Sequence, residues 1–336
     1  MNIDWILKRD IFEKRVLFIT TKNLDYIRNK QEMDLIQENA SAHLVIGSYS
    51  RRYFVRLLTV FFKVLFTSTS HFDTVFIGFA PQLILPLFFW KFRKKEIIID
   101  FFISLFDTFC HDRKKVEPDS IAGKLLYYVD KKTLWWADAV ICDTDSHGNY
   151  FCEEFQVPPE KLFTMYLKAD TSIYHPLNVK RPEFLENKYV VLYFGSILPL
   201  QGVDIVLKAV EMLKDDDEMF FLLIGPMAKK KGFEEIRPQS KNILYLNWLS
   251  QEKLAEYIDL ADLCLAGHFN TSVRKAYRTI PGKAYIYQAM NKKMILGDNP
   301  ANHELFGEGD RVVFAQMGNE SALADAITIA KMRHKK

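Results

Sequence analysis

The chain alternates short apolar segments with longer amphipathic ones. Continuous apolar runs at residues 15–20, 43–47, 74–78, 96–100, 139–143 and 162–166 predict six strands in the first half. Such runs, without polar alternation, are typical of strands that are buried on both faces, as in a parallel sheet covered by helices. Helical spacing of apolar residues at 25–39 and 51–68 predicts two of the covering helices.

The alternation stops at residues 170–187, a polar segment with two prolines that predicts a linker. It then restarts, with strands predicted at 190–194, 219–224, 243–246, 263–266, 294–297 and 312–314 and helices at 203–213, 250–258, 283–290 and 320–331. We therefore predict an α/β fold with two doubly wound Rossmann-like domains, residues 1–177 and 178–336, that face each other across a cleft. In such sheets ligands bind beyond the C-terminal ends of the strands.

Composition narrows the class of protein. The 336 residues suit two domains, and the four cysteines lie far apart without a CxxC pair. We expect no zinc site, no metal and reduced thiols in a cytoplasmic location. The N-terminus has no apolar core of the signal-peptide type, and the longest apolar runs, at 57–62 and 83–90, are shorter than the roughly 20 residues that span a bilayer.

The charge is unevenly distributed. Residues 51–98 carry eight basic and two acidic side chains, a net charge of +6, whereas the whole chain carries +3. Aromatic and aliphatic residues lie between these cations, which favours docking on an anionic membrane surface from the cytoplasmic side. A basic face that is merely solvated is the alternative. No motif supports binding to nucleic acid.

A glycine turn opens the predicted second domain. Gly195 and Ser196 follow the strand at 190–194, and Gln201 and Gly202 precede the next helix. Glycine lets backbone N–H groups approach an anion, and a helix N-terminus favours negative charge. An ordinary strand-to-helix turn is the alternative.

A second polar segment follows the strand at 263–266. It contains His268, Arg274 and Arg278, and Pro281-Gly282 then begins a helix with Lys283 in its first turn. A lysine is poorly placed for the helix dipole, so this position favours an anion that both would bind. A solvated lysine is the alternative.

These two segments, with Gly225-Pro226 and the residues around Trp248, resemble the donor domain of the retaining glycosyltransferase family 4, which has the GT-B fold. The resemblance implies that Lys283 contacts the diphosphate of a nucleotide sugar, as in a sub-branch with an Ile-Pro-x-Lys donor loop. The family's arginine and lysine in the glycine turn are Ser196 and Gln201 here. Its two glutamates align with Ile280 and Gln288, and Gln288 can still hydrogen-bond a ribose hydroxyl.

The predicted donor site combines this resemblance with the strand-end positions. Trp248 and Leu249 are placed to line a nucleobase pocket, and Glu304 to reach the donor sugar or ribose; core packing and a surface carboxylate are the alternatives. The predicted donor residues are Gly195, Ser196, Gln201, Gly202, Gly225, Trp248, Leu249, His268, Arg274, Arg278, Lys283, Gln288 and Glu304.

The acceptor is expected on the first domain. Asp100, Asp107, His111 and Asp112 follow the fourth predicted strand, where carboxylates and a histidine can orient an acceptor hydroxyl or take its proton. A solvated or salt-bridged loop is the alternative. With Lys283, the residues Asp107, His111 and Asp112 are the predicted catalytic residues.

The leading hypothesis is thus metal-independent, retaining transfer of a sugar to a lipid-linked acceptor in polysaccharide assembly. The resemblance implies a UDP-sugar donor. No further cofactor is expected, because the predicted cations can stabilise the leaving diphosphate. The alternative is a non-catalytic partner or scaffold subunit of an active transferase. A dehydrogenase is disfavoured, since no GxGxxG follows the first strand.

Overall fold

The computed structural model describes residues 7–228 and 234–334. By its internal contacts the chain divides into two units, Met1–Lys168 and Ala169–Lys336. The first six residues, which belong to the predicted first domain, lie outside the described part.

The first unit contains a parallel sheet of six strands in the order β2-β1-β3-β4-β5-β6. Its strands are β1 (Arg15–Asn23), β2 (Ala42–Ser48), β3 (Thr74–Ile77), β4 (Glu96–Asp100), β5 (Ala139–Cys142) and β6 (Leu162–Thr164). Along β1, Leu17 and Ile19 pack into one apolar cluster and Val16 and Phe18 into another. Because alternate side chains point to opposite faces, both faces of the sheet are covered, as the continuous apolar runs predicted.

Five helices cover this sheet. They are α1 (Ile27–Asn39), α2 (Tyr53–Phe66), α3 (Leu85–Phe92), α4 (Ile121–Trp136) and α5 (Asp145–Phe155). The sequence predicted only α1 and α2. Ser120 caps α4 by accepting a hydrogen bond from the Gly123 N–H, yet Ile121 and Leu125 are 90% and 60% exposed. An apolar outer face removes the amphipathic signal by which such a helix is recognised.

The second unit contains another six-stranded parallel sheet, in the order β12-β11-β10-β7-β8-β9. Its strands are β7 (Tyr189–Phe194), β8 (Met219–Ile224), β9 (Ile243–Leu246), β10 (Leu263–Gly267), β11 (Met294–Gly297) and β12 (Val312–Ala315). Its helices are α6 (Val203–Leu213), α7 (Gln251–Leu260), α8 (Gly282–Ala289), α9 (Pro300–Leu305) and α10 (Glu320–His334). All the predicted strands of both halves are present, which confirms the prediction of two Rossmann-like domains.

The strand order reverses once in each sheet. In the first sheet the reversal lies between β1 and β3: the next strand after β1 is added on one side and the strands after β3 are added on the other. In the second sheet the reversal lies between β7 and β10. Ligands of open α/β sheets bind beyond the strand ends at such reversal points. The segments after β1, β3, β7 and β10 are therefore the positions where function is expected.

A buried ion pair lies beyond the strand ends of the first unit. The Arg28 Nε donates to Asp100 at 2.6 Å, and a terminal guanidinium nitrogen donates to the Met165 carbonyl oxygen. This arginine thereby joins α1 to the ends of β4 and β6. Glu32, one helical turn further on, has an oxygen 3.9 Å from the Arg28 Nε. Gly78 leaves room for it, since a Cβ there would lie 2.7 Å from the Glu32 carboxyl.

These three side chains make an unequal triad. Arg28 and Asp100 neutralise each other at hydrogen-bonding distance. Glu32 is fully buried, and burial, together with the nearby Asp100 charge, raises its pKa well above 4.5. Burial thus favours the neutral form of Glu32.

We predict opposite outcomes for the two carboxyl groups. Asp100→Asn should lower the free energy of unfolding by about 3–5 kcal/mol, because it leaves the buried Arg28 charge uncompensated. Glu32→Gln should change it by less than about 1 kcal/mol below about pH 4, where the glutamate is protonated in the folded and the unfolded chain, because an amide then replaces a neutral group. Urea unfolding measures both, and equal losses would contradict the triad.

The same experiment has a pH signature. A carboxyl whose pKa is higher in the folded chain contributes stability below its unfolded pKa and loses that contribution as the pH rises through the folded value. The wild type should therefore lose stability between these two pH values relative to Glu32→Gln. If the wild type and Glu32→Gln show the same pH dependence of stability, Glu32 does not carry the proton.

Candidate functional site

The loops after β7 and β8 approach each other at the reversal point of the second sheet. Gly195 follows β7 with φ +153°, and Gly225 follows β8 with φ +132°. A Cβ at Gly225 would lie 2.4 Å from the Gly195 carbonyl oxygen, closer than any side chain can approach. Glycine at these positions thus lets the two backbones pass at the strand ends.

The glycine turn also packs against the loop after β10. A 3₁₀ turn at Pro199–Gln201 leads to Gly202, whose φ of +65° begins α6. A Cβ at Gly202 would lie 2.8 Å from the Asn270 backbone nitrogen, and the Asn270 side chain donates to the Pro199 carbonyl at 2.7 Å. The backbones of these two loops therefore lie against each other at the C-terminal ends of β7 and β10.

Lys283 lies against this surface. It is the second residue of α8, and its side chain is only 5% exposed. The ammonium nitrogen donates to the Gln201 Oε1 at 2.6 Å and lies 4.0 Å from the centre of the Tyr193 ring. A Cβ at Gly195 would be 3.3 Å from it. The glycine turn and the start of α8 are separate motifs in the sequence, but in the structure both lie at the Lys283 Nζ.

The electrostatics of this lysine are unusual. Burial lowers the pKa of Lys283 well below 10.5, and no carboxylate among the described residues offsets that effect. A buried ammonium without a counter-charge is costly, whereas an anion placed beside it would stabilise the charged form. The Tyr193 hydroxyl, also buried, donates to the same Gln201 oxygen at 3.4 Å.

The position of Lys283 accounts for one departure from the family pattern. The resemblance places a family lysine at residue 201, where this chain has glutamine. The Lys283 ammonium lies 2.6 Å from the end of that glutamine side chain. The Lys283 ammonium, supplied from α8, thus lies beside the residue at which the resemblance expects a lysine.

The other predicted donor residues are distributed around the same edge of the sheet. Ser196 is half-buried in the turn, and His268, directly after β10, is 4% exposed. Arg274 begins a 3₁₀ turn at Arg274–Tyr277, and Arg278 follows it.

The four remaining predicted donor residues, Trp248, Leu249, Gln288 and Glu304, differ in their exposure. Trp248 is 56% exposed beyond β9, the edge strand, so it does not pack in the core. Leu249 beside it is half-buried. Gln288 is exposed near the end of α8, and Glu304 is half-buried on α9. Their roles as ligand contacts stay predictions.

The predicted acceptor segment of the first unit forms a π-helical turn, Asp107–Asp112. Asp107 is 3% exposed, His111 and Asp112 are half-buried, and the His111 ring packs edge-on against Phe106 at 5.1 Å. Asp100 does not join them as the sequence suggested, because it is buried in the ion pair with Arg28. The candidate acceptor group is therefore reduced to Asp107, His111 and Asp112.

Asp130, which the sequence reading missed, organises this segment. Its carboxylate accepts from the Ser104 hydroxyl at 2.7 Å, the Phe106 N–H at 2.8 Å and the Gln82 amide at 3.0 Å. Burial raises its pKa to about 6 despite these hydrogen bonds. The sequence signal was a single acid inside the apolar helix α4, which ordinary surface placement explains equally well.

A second missed residue is His147. Its Nδ1 lies 2.6 Å from the Asp143 carboxylate, which directly follows β5, and its ring is fully buried. The sequence showed two acids, Asp143 and Asp145, after this strand. The histidine one helical turn further on orients the first of them.

No group of three or more His, Cys, Asp or Glu side chains among the described residues could hold a metal ion. No helix in the described ranges is both long and apolar enough to cross a membrane.

Residues 188–330 match the family model of the glycosyl transferases group 1, which covers most of the second unit. No curated protein sequence matches the chain.

Solved structures of glycosyltransferases share the whole fold. HepE of Anabaena in complex with UDP superposes with a TM-score of 0.66 at 12% identity, over 96% of this chain and 91% of HepE. Sucrose-phosphate synthase from Thermosynechococcus elongatus gives 0.66 at 12% identity, over 95% and 90%. A glycosyltransferase from Rickettsia africae gives 0.62 at 14% identity, over 96% and 89%. The chain has the GT-B fold of these enzymes, and its second unit has the sequence pattern of group 1 glycosyl transferases.

Proposed function

We propose that this chain is a retaining glycosyltransferase that moves a sugar from a UDP-sugar to a lipid-linked sugar acceptor in cell-surface polysaccharide or glycan assembly. The observation that carries the proposal is the buried Lys283 ammonium at the β7–β10 reversal point, against Gln201, Tyr193 and Gly195. A cation that is buried without a carboxylate suits a ligand that brings its own negative charge.

Glycosyl transfer produces such a charge. When the bond between the sugar C1 and the diphosphate oxygen breaks, the electron pair stays on the diphosphate. A fixed ammonium in a site of low dielectric stabilises that charge without having to reorganise. Arg274 and Arg278, on the loop that leads into α8, supply further positive charge, so we propose that no metal is needed.

The choice of UDP is supported by the relatives. HepE was solved with UDP and with UDP-glucose, and another structure of the same fold is a UDP-forming trehalose-phosphate synthase from Burkholderia xenovorans. We propose that Trp248 and Leu249 contact the uracil and that Gln288 contacts the ribose.

We place the acceptor on the first unit, at Asp107, His111 and Asp112. The acceptor oxygen forms the new bond to C1 as the diphosphate leaves, and its proton passes to one of these groups or to a released phosphate oxygen. Asp107 is the best ordered of the three, because its N–H donates to the Ser104 hydroxyl at 2.9 Å and Ser104 in turn is held by Asp130.

An acceptor on a lipid requires a protein that reaches the membrane. The first unit exposes apolar side chains on α2 and α3, beside cations of the segment 51–98; among them Phe54, Phe66 and Trp90 are 77%, 81% and 64% exposed. Large exposed apolar side chains in one region are typical of interaction surfaces. We propose that this surface docks on an anionic membrane from the cytoplasmic side.

One observation favours a second candidate function, a non-catalytic subunit that binds the nucleotide for an active partner. Ile280, which stands where the family has a glutamate, is 8% exposed and has no polar group to offer a substrate. Purified protein should nevertheless slowly hydrolyse the correct UDP-sugar if it is an enzyme. Release of no free sugar from any UDP-sugar that it binds would favour the subunit instead.

We predict that Lys283→Gln weakens UDP binding by about 10- to 100-fold, the loss expected for one charge-assisted hydrogen bond. Binding of uridine should be unchanged, because only UDP carries the phosphates. Turnover should fall by two to three orders of magnitude, as is typical for one stabiliser of a leaving group. Calorimetry with both ligands measures the difference.

The Gln201–Lys283 contact provides a sharper control. The double variant Gln201→Lys with Lys283→Gln returns an ammonium to nearly the same point and should regain most of the lost UDP affinity. Lys275→Gln, which removes a charge from the neighbouring turn, is the matched control and should lose less than about threefold. Equal losses of UDP and uridine binding in Lys283→Gln, or none, would contradict the assignment.

A further inference from the structure

The ends of helices α2 and α3 meet on the first unit and leave a pocket between them. The Lys91 ammonium on α3 donates to the carbonyl oxygens of Val64 and Leu65, at 2.7 and 2.6 Å, and so caps the last turn of α2. The Thr69 hydroxyl returns a bond to the Lys91 carbonyl oxygen at 3.4 Å. The pocket that remains has a volume of about 540 Å³.

The polar wall of this pocket is strongly cationic. Arg93, Lys94 and Lys95 line it, together with hydroxyl groups of the segment 67–70. Within the described ranges none of these three cations forms an ion pair, since the nearby acids have other partners. Asp73 pairs with Arg15 at 2.8 Å, and Glu96 lies 3.5 Å from Arg9. The wall therefore has unbalanced positive charge and hydroxyl donors, which suits a phosphate.

Two of the segment's basic residues do not contribute to this charge. Arg56 is 7% exposed and donates to the carbonyl oxygens of Thr21 and Ser50, at 2.9 and 2.7 Å. Lys91 is committed to capping α2. Of the six basic residues that remain, Arg93, Lys94 and Lys95 lie together directly after α3, and Arg51, Arg52 and Lys63 are exposed along the earlier part of the segment.

The rim of the pocket is aromatic and exposed. Phe66, at the end of α2, and Trp90, on α3, line the pocket and are 81% and 64% exposed. Along the outer side of α2, Phe54, Leu58 and Phe62 are 77%, 57% and 51% exposed at four-residue spacing. The opposite side of the helix packs into the core through Val60 and Val64. Helix α2 is therefore apolar on two faces, of which only one is covered by the fold.

We propose that this pocket binds the phosphate of an anionic lipid headgroup, while Phe66 and Trp90 enter the acyl boundary beside it. A phosphate site with an apolar rim fits a lipid better than a free anion, because only a lipid offers charge and hydrocarbon together. The unpaired cations oppose a second copy of this chain, which would bring the same positive charge to the interface. The inference rests on the membrane part of the proposed function and is independent of glycosyl transfer.

The test uses the full-length protein and sedimentation with vesicles of phosphatidylglycerol and phosphatidylcholine, against phosphatidylcholine alone. The wild type should bind the mixed vesicles. The triple variant Arg93→Gln, Lys94→Gln, Lys95→Gln should bind them about 100-fold more weakly, since each cation near an anionic surface raises the affinity about fivefold. Phe66→Ser with Trp90→Ser should lose about tenfold or more.

Matched controls separate the pocket from general charge. Lys14→Gln, Lys180→Gln and Arg333→Gln remove the same charge from exposed positions outside the pocket and should change vesicle binding by less than about threefold. An excess of glycerol 3-phosphate should not displace the vesicles, because it has no acyl chain. All variants should retain wild-type affinity for UDP, which shows that they are folded and tests the donor site separately.

Three results would overturn the inference. Equal vesicle binding by the two triple variants would place membrane contact elsewhere on the surface. Displacement by glycerol 3-phosphate would make the pocket a site for soluble phosphates. The wild type could also bind neither kind of vesicle and self-associate through Phe54 and Phe62, which would make this face an interface between copies. That result would remove the membrane from the proposed function, whereas the UDP titration would still test the donor site.

Discussion

The candidate site in the second unit depends on one buried cation that has no carboxylate partner among the described residues. The Lys283 ammonium is buried against Gln201 and the Tyr193 ring, and burial lowers its pKa because the described residues around it include no carboxylate partner. The first unit buries a cation too, but it neutralises Arg28 internally with Asp100 at 2.6 Å. The first unit thus holds a complete ion pair beyond the ends of β4 and β6, whereas the second unit holds a cation at its reversal point, with no counter-ion in the described ranges. Of the two cations, only the Lys283 ammonium therefore favours the binding of an anionic ligand.

The loops of the second unit bring glycine backbone close to that charge. Gly195 and Gly225 let the backbones after β7 and β8 approach each other, and a side chain at Gly195 would contact the ammonium. The Pro281-Gly282 start of α8 brings the lysine to the strand edge. Gln201 accepts a hydrogen bond from the ammonium and fixes its position.

Much of this fold could be predicted from the sequence, because buried parallel strands are continuous apolar runs between turns. Helix α4 could not, since its outer face carries Ile121 and Leu125 instead of polar residues. The site was only partly predictable. Gly195, Gln201 and Lys283 were recognised in separate motifs, but their contact joins residues 82 positions apart and no local pattern encodes it. Asp130 and His147 were missed because a single polar residue on a helix has many ordinary explanations, and Asp100 was misassigned because its partner, Arg28, lies on a distant helix.

The central claim is that a ligand's diphosphate completes the Lys283 ion pair, and proton uptake on binding tests it most directly. The pKa of Lys283 is lowered in the free protein, and bound phosphates should raise it. At a pH between the pKa of the free protein and the pKa of the complex, UDP binding must therefore take up a proton. Calorimetry at alkaline pH, where UDP itself is fully ionised, in buffers of different ionisation enthalpy measures that proton. The account predicts uptake approaching one proton in the wild type and none in Lys283→Gln. Identical uptake in the two proteins, or none in either while UDP still binds, would contradict it.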